Sequence, residues 1–183
     1  MKRFSLFSVA VLFSLVASSA FADPLYLSVN ATPYDRQMTR IRPFLTANSN
    51  GASGDVSIAL VNRWMANLRS IPYGFTMTWK TPEETESGAP ADCKAKAVAL
   101  YGKMQAAGAQ NVRLVIGKRT SASVKTHAWL AWERDGSSYV LDPTFNSRAF
   151  TVKQAGKRNY QPLYAYAGAK KFRAANSTLV ASN

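Results

Sequence analysis

Apolar positions recur with a helical period in two stretches of the chain and with a strand period in several others. The first helical stretch covers 56–69, where Val56, Leu60, Trp64 and Leu68 share one face and Asp55 stands at the N-cap position. The second covers 92–108. There Cys93, Ala97, Leu100 and Met104 form one stripe, Lys94, Lys96 and Lys103 lie off it, and Gly108 suits the C-terminal cap. Asp92 takes the N-cap position of this helix, which makes Cys93 its first helical residue. Beyond it the period changes to two. Val112, Leu114 and Ile116 alternate with Arg113 and Val115, and a basic, Ser-rich loop follows over 117–125. Stretches 126–133 and 138–142 read as strands joined by a turn at Asp135-Gly136, and further strands fall at 149–152 and 162–166. A helix followed by a run of antiparallel strands predicts an α+β fold with the helix packed on the sheet.

The remaining segments read as connections. Pro24, Pro33 and Pro43 break a lead-in over 23–54, which ends in the joint Gly51-Ala52-Ser53-Gly54. Residues 81–90 read as a loop in which Glu83, Glu84 and Glu86 cluster, and the chain from Lys170 onward reads as a loose tail. The start of the chain has a different pattern. Lys2 and Arg3 precede an apolar run over 4–16, and small residues follow, ending in Ala20-Phe21-Ala22. A basic start, a short apolar stretch and an A-x-A site predict a secretory leader removed after Ala22. The apolar run is short for a membrane span. The expected organisation is therefore a leader at 1–22, a lead-in at 23–54, one domain at 55–169 and a flexible tail at 170–183. The mature protein is expected outside the cytoplasm, periplasmic or secreted, and not membrane-spanning.

Export changes the meaning of two global features. Exported proteins usually carry cysteines in oxidised pairs, yet Cys93 is the only cysteine here, so it cannot form an internal disulfide. A reactive thiol, a small buried hydrophobe and a bridge to a second chain are all consistent with that count. The net charge is +13, and removing the leader's Lys2 and Arg3 still leaves about +11. Outside the cytoplasm a cation of this size points away from nucleic acid. Its partners are a protein or peptide substrate or an anionic cell-envelope surface, and a solvated basic surface without a partner is the plainer account.

Cys93 has the position that lowers a thiol pKa, since a helix N-terminus and a nearby imidazolium both favour the thiolate. Asp92 opposes this unless capping turns its carboxylate toward the backbone amides. The chain has a single histidine, His127. If the loop centred on Asp135-Gly136 holds an even number of residues, Trp129 lies opposite Asp142. His127, two residues from Trp129, then shares a sheet face with Asp142 as its diagonal neighbour. Nucleophile, base and orienting carboxylate would be Cys93, His127 and Asp142. Each residue alone has an ordinary structural account: a core histidine, an aspartate ending a strand before Pro143, and Trp129 and Trp132 as packing.

Asp92-Cys93-Lys94-Ala95-Lys96-Ala97, Thr126-His127-Ala128-Trp129-Leu130 and Tyr139-Val140-Leu141-Asp142-Pro143-Thr144 resemble the core of the transglutaminase-like superfamily. Trp79-Lys80-Thr81-Pro82-Glu83 and Tyr160-Gln161-Pro162-Leu163-Tyr164 are similar to segments of its bacterial cysteine peptidases. The resemblance spans about 56–166. It implies a papain-like core with the cysteine at the start of a helix packed on an antiparallel sheet that carries His and Asp, and peptidase chemistry through a thioester. Many members have Gly before the cysteine motif and an acidic residue after it; here Pro90-Ala91 precede Asp92, and Lys94 and Lys96 follow Cys93. Relatives that bind calcium use acidic residues near the active site, so this departure counts against calcium, and no metal or cofactor is expected. The Cys93 amide is a natural oxyanion donor, with Trp79, Asn62 and Gln37 as candidates for a second. Transfer of the acyl group to an amine, and a non-catalytic basic binding module, are the competing functions.

Overall fold

In the computed structural model the described residues are 26–47, 54–156 and 159–175. The expected leader at 1–22 and residues 51–53 of the expected joint lie outside them. The elements in chain order are β1 (Tyr26–Ser28), α1 (Arg42–Thr46), α2 (Ile58–Ser70), α3 (Pro82–Glu86), α4 (Cys93–Ala106), β2 (Val112–Thr120), β3 (His127–Arg134), β4 (Ser137–Leu141), β5 (Phe150–Thr151), α5 (Val152–Ala155), β6 (Asn159–Ala167) and β7 (Lys170–Ala174). Seven strands form one antiparallel sheet in the order β1-β7-β6-β2-β3-β4-β5. Helix α4 packs on β2 and β3, and α1, α2 and α3 pack around it. This is the α+β arrangement that the change of period predicts.

Helix α4 begins where its sequence places it. The Asp92 carboxylate accepts from the Ala95 amide at 3.1 Å, so Cys93 is the first helical residue. At the other end Ala107 is the C-cap, and Gly108 follows with φ of +80°, a conformation a Cβ disfavours. The one-sided stripe is too narrow a description. Ala95 to Tyr101 are all buried, Lys96 included, because α4 has the sheet on one side and helices on the others. Its many alanines permit that close packing.

Helix α2 departs from expectation at its start and in its face. Ser57, not Asp55, is the N-cap, accepting from the Leu60 amide at 3.2 Å. The buried side chains are Val61, Met65 and Leu68, while Leu60 and Trp64 are half-buried. Asp55 pairs instead with Arg134 at 2.6 Å, which removes it from the capping position. The segment expected to be a loop over 81–90 contains α3. Its start is a capping box: the Thr81 hydroxyl accepts from the Glu84 amide, the Glu84 side chain accepts from the Thr81 amide, and Pro82 occupies the first turn.

The β3–β4 hairpin has the register derived from its even turn. Leu130 pairs with Leu141 and Ala131 with Val140, around Asp135 and Gly136 with φ of +50° and +70°. Elsewhere the sheet extends further than the sequence pattern. β2 runs to Thr120, into the expected basic loop, because β6 continues alongside it to pair Thr120 with Asn159. β7 falls in the expected tail, pairing Tyr164 with Arg173 and Ala165 with Phe172, and β1 from the lead-in pairs with β7. Both strands are short, and the pairing that holds them is remote in sequence. Leu114, Ile116, Leu130, Trp132 and Leu141 join the main core with α4, whereas Val115, Trp129, Ala131, Val140 and Ala165 form a smaller cluster with Phe150 and Phe172.

Candidate active site

Three elements converge on one point: the start of α4, the first residue of β3 and the residue just after β4. Cys93 is half-buried at the helix N-terminus. His127 is 8% exposed and Asp142 is wholly buried. The His127 Nε2 lies 2.9 Å from Asp142 Oδ2, and Cys93 is near enough to the same imidazole to influence its protonation. Since Nε2 faces the carboxylate, Nδ1 is left for the thiol. Burial opposes a charge on His127, but hydrogen bonds to Asp142 and Cys93 and the negative charges of both raise its pKa to about 9.

Asp142 is held by more than the histidine. Its Oδ1 accepts from the Thr144 amide at 3.0 Å, and its Oδ2 also accepts from the Tyr160 hydroxyl at 2.8 Å. The Asn146 amide donates to that hydroxyl at 3.0 Å. Tyr160 has φ of +51°, an uncommon conformation for a bulky residue that here brings its phenol to Asp142. Burial and then the Asp142 charge raise the Tyr160 pKa, so the phenol keeps its proton and remains a donor. Sequence reasoning assigned Tyr160 no role. Its only signal was membership in the segment 160–164, because its contact with Asp142 joins positions 18 apart through the sheet.

Trp129 and Gly117 complete the support. The Trp129 indole stacks on His127 at 6.1 Å between centroids and meets Tyr160 edge-on at 5.4 Å. Gly117 pairs with His127 across β2 and β3. A Cβ there would collide with the Gln161 carbonyl oxygen and stand 2.6 Å from the Trp129 ring, so glycine is required by close approach. On the helix side, Lys96 is 2% exposed, and its ammonium donates to the Ile71 carbonyl at 2.6 Å and to that of Arg69 at 3.4 Å. It therefore ties the C-terminal end of α2 to the first turns of α4. Burial and then the Arg69 charge lower its pKa, opposed by Asp142.

The oxyanion candidates separate. Gln37 is exposed. Asn62 has its side-chain oxygen engaged, accepting from the Ala149 amide at 2.7 Å. Trp79 is 1% exposed in the core that Cys93 packs against, and its indole N–H is buried with no hydrogen-bond partner. An unpartnered buried donor is uncommon enough to need an explanation.

Solved structures that resemble this chain include forms of LapG from Legionella pneumophila. The EGTA-treated LapG of that organism superposes with a TM-score of 0.54 at 14% identity, over 77% of this chain and 77% of LapG. Its calcium-bound form gives 0.54 at 12% identity, over 79% and 83%. The fold is papain-like and transglutaminase-like. No protein-family model matches the sequence, and comparison with curated proteins gives no match. The residues around Cys93 do not fit a calcium ion. The Asp92 carboxylate already accepts from the Lys94 ammonium and from the amides of Thr76 and Ala95. Lys94 also donates to the Thr76 carbonyl at 3.0 Å. Among the described residues no three His, Cys, Asp or Glu side chains are grouped to hold a metal, and no helix is long and apolar enough to cross a membrane.

Proposed function

We propose that the protein is an exported cysteine peptidase of the transglutaminase-like kind, cleaving an amide bond through a thioester on Cys93. The observation that carries this reading is the shared imidazole: His127 has the Cys93 thiol on one side and the buried Asp142 carboxylate on the other. The fold and the position of Cys93 at a helix N-terminus support it.

In the resting pair the proton is on His127, with Asp142 fixing the ring orientation and Cys93 as thiolate. The sulfur attacks the amide carbon, forming the C–S bond, and the carbonyl electron pair moves to oxygen. The Cys93 amide and the Trp79 indole N–H hold that oxyanion; Trp79 is preferred because its donor is otherwise unpaired. Collapse breaks the C–N bond, and the leaving nitrogen takes the proton from His127. Neutral His127 then accepts a proton from water as the water oxygen attacks the thioester. Breaking the C–S bond releases the acid and restores the ion pair.

The test is the alkylation rate of Cys93 by iodoacetamide against pH. The wild type should react fast well below the free-thiol pKa of about 8.5, and His127→Ala should lose that advantage. A slow rate that His127→Ala leaves unchanged refutes the pair. Cys93→Ser should abolish cleavage of any peptide the wild type cuts. The amino terminus of exported protein, read by mass spectrometry, should be Asp23.

A further inference from the structure

Among the described residues the exposed large apolar side chains are Leu27, Tyr73, Phe75, Met77, Val124 and Phe145. Tyr73, Phe75 and Phe145 lie near Cys93 and His127. Tyr73 is close enough for the Cys93 and Asp92 charges to raise its pKa, after the larger effect of burial. The Phe75 ring lies 5.0 Å from the Lys94 ammonium and 5.9 Å from that of Lys125. Met77 adjoins Thr76, whose amide donates to Asp92. Phe145 is 5.3 Å from the His127 ring, and Val124 adjoins Lys125. Single exposed apolar residues are ordinary, but three aromatic ones around one Cys–His pair form the kind of patch that marks a binding surface.

One segment beside this patch carries charge of a single sign. The segment 118–125 carries Lys118, Arg119 and Lys125 and no acidic residue. None of the ion pairs among the described residues includes these three, although Arg40, Lys103, Arg134 and Lys171 each have a carboxylate partner. Arg119 lies 4.5 Å from the Phe145 ring and helps line a cavity of about 370 Å³ with Phe145, Phe150 and Tyr160. Tyr160 bonds Asp142 and Phe145 packs against His127, so two of the cavity's walls are shared with the surroundings of those residues. A guanidinium with no carboxylate partner among the described residues, in a cavity lined by Phe145, Phe150 and Tyr160 and by the amides of Asn146, Gln154 and Asn159, suits a carboxylate-bearing side chain.

We propose that the site takes an extended acidic polypeptide segment, with apolar side chains against Phe75 and Met77 and a carboxylate beside Arg119. The proposal names the substrate class of the peptidase above and rests on that reading for cleavage, though not for binding. An anionic glycan lacks the apolar side chains that this surface would cover.

The experiment uses the full mature chain with Cys93→Ala, which binds without turnover, and fluorescence anisotropy with three labelled dodecapeptides. One alternates Phe or Leu with Asp or Glu, one has Lys or Arg in place of the acids, and one keeps the acids but has Ser in place of the apolar residues. The acidic apolar peptide should bind at least tenfold more tightly than either control. Arg119→Gln, at a half-buried position, and Phe75→Ser, at an exposed one, should each weaken it at least fivefold, and raising NaCl should weaken it further. Polygalacturonate at matched carboxylate concentration should displace it poorly. Equal binding of the three peptides, no binding, or efficient displacement by polygalacturonate overturns the proposal. Wild-type protein incubated with the same peptides separates the two readings. Tight binding of the acidic apolar peptide without cleavage removes the peptidase and leaves the binding preference, whereas preferred cleavage of the basic peptide does the reverse.

Discussion

Replacing Asp142 by asparagine should collapse the protonation of the chain's single histidine. With the carboxylate present, the His127 pKa is about 9 against an ordinary 6.5, so at pH 8 about nine-tenths of the molecules carry an imidazolium. The Asp142→Asn side chain has no charge, and burial, the largest influence on this ring, pulls the pKa down. Cys93 still raises it, so the midpoint should fall well below 9 toward the ordinary 6.5; at 6.5 roughly 3% would be protonated at pH 8, about a thirtyfold loss, while at pH 6 the loss would be about 1.3-fold. Hydrogen bonding adds to the defect. A side-chain amide cannot accept from Thr144 on one side and from both His127 and Tyr160 on the other, so one buried donor loses its partner. The assay is direct, because the only histidine gives the only imidazole Cε1–H signal in a proton NMR titration. The wild type should titrate near 9 and Asp142→Asn well below it, toward 6.5. The raised folded-state pKa also fixes the sign for stability: the pair's contribution is complete below pH 6.5, declines above it and is gone beyond about pH 9. The melting-temperature advantage of wild type over Asp142→Asn should shrink across that window. A wild-type midpoint near 6.5, or one unmoved by Asp142→Asn, refutes the charged pair.

Three further outcomes follow from the same geometry. Trp79→Phe removes a buried N–H that has no partner, so kcat should fall about a hundredfold while stability in urea changes by less than about 1 kcal/mol; equal loss of both would make Trp79 a packing residue. Gly117→Ala forces a methyl group against the Gln161 carbonyl and the Trp129 ring and should destabilise the fold by about 3 kcal/mol, measured by denaturant titration; a neutral result would mean that β2 and β6 can separate. Excess EGTA and added calcium should leave peptide cleavage and melting temperature equal, because the Lys94 ammonium already engages Asp92; a calcium-dependent rise in melting temperature would contradict that assignment.

Several features were fixed locally and could be read from the sequence. Asp92 before an alanine-rich helical run sets the start of α4 at Cys93, since a cap needs only the side chain and the first amides. An even Asp135-Gly136 turn sets the β3–β4 register, and that register places His127 and Asp142 side by side. The capping box opening α3 is equally local, in Thr81-Pro82-Glu83-Glu84, although the cluster of charge around it gives the segment the composition of a loop. Other features needed the tertiary structure. The short β1 and β7 exist because remote partners satisfy their backbone groups. Lys96 is buried because two carbonyls at the end of α2 meet its ammonium. Tyr160, Gly117 and the unpaired Trp79 N–H gain significance only when distant segments meet around one imidazole. Propensity, capping and turn geometry act over a few residues, so the sequence determined the helix start and the hairpin; which distant groups share a buried charge was decided by packing alone.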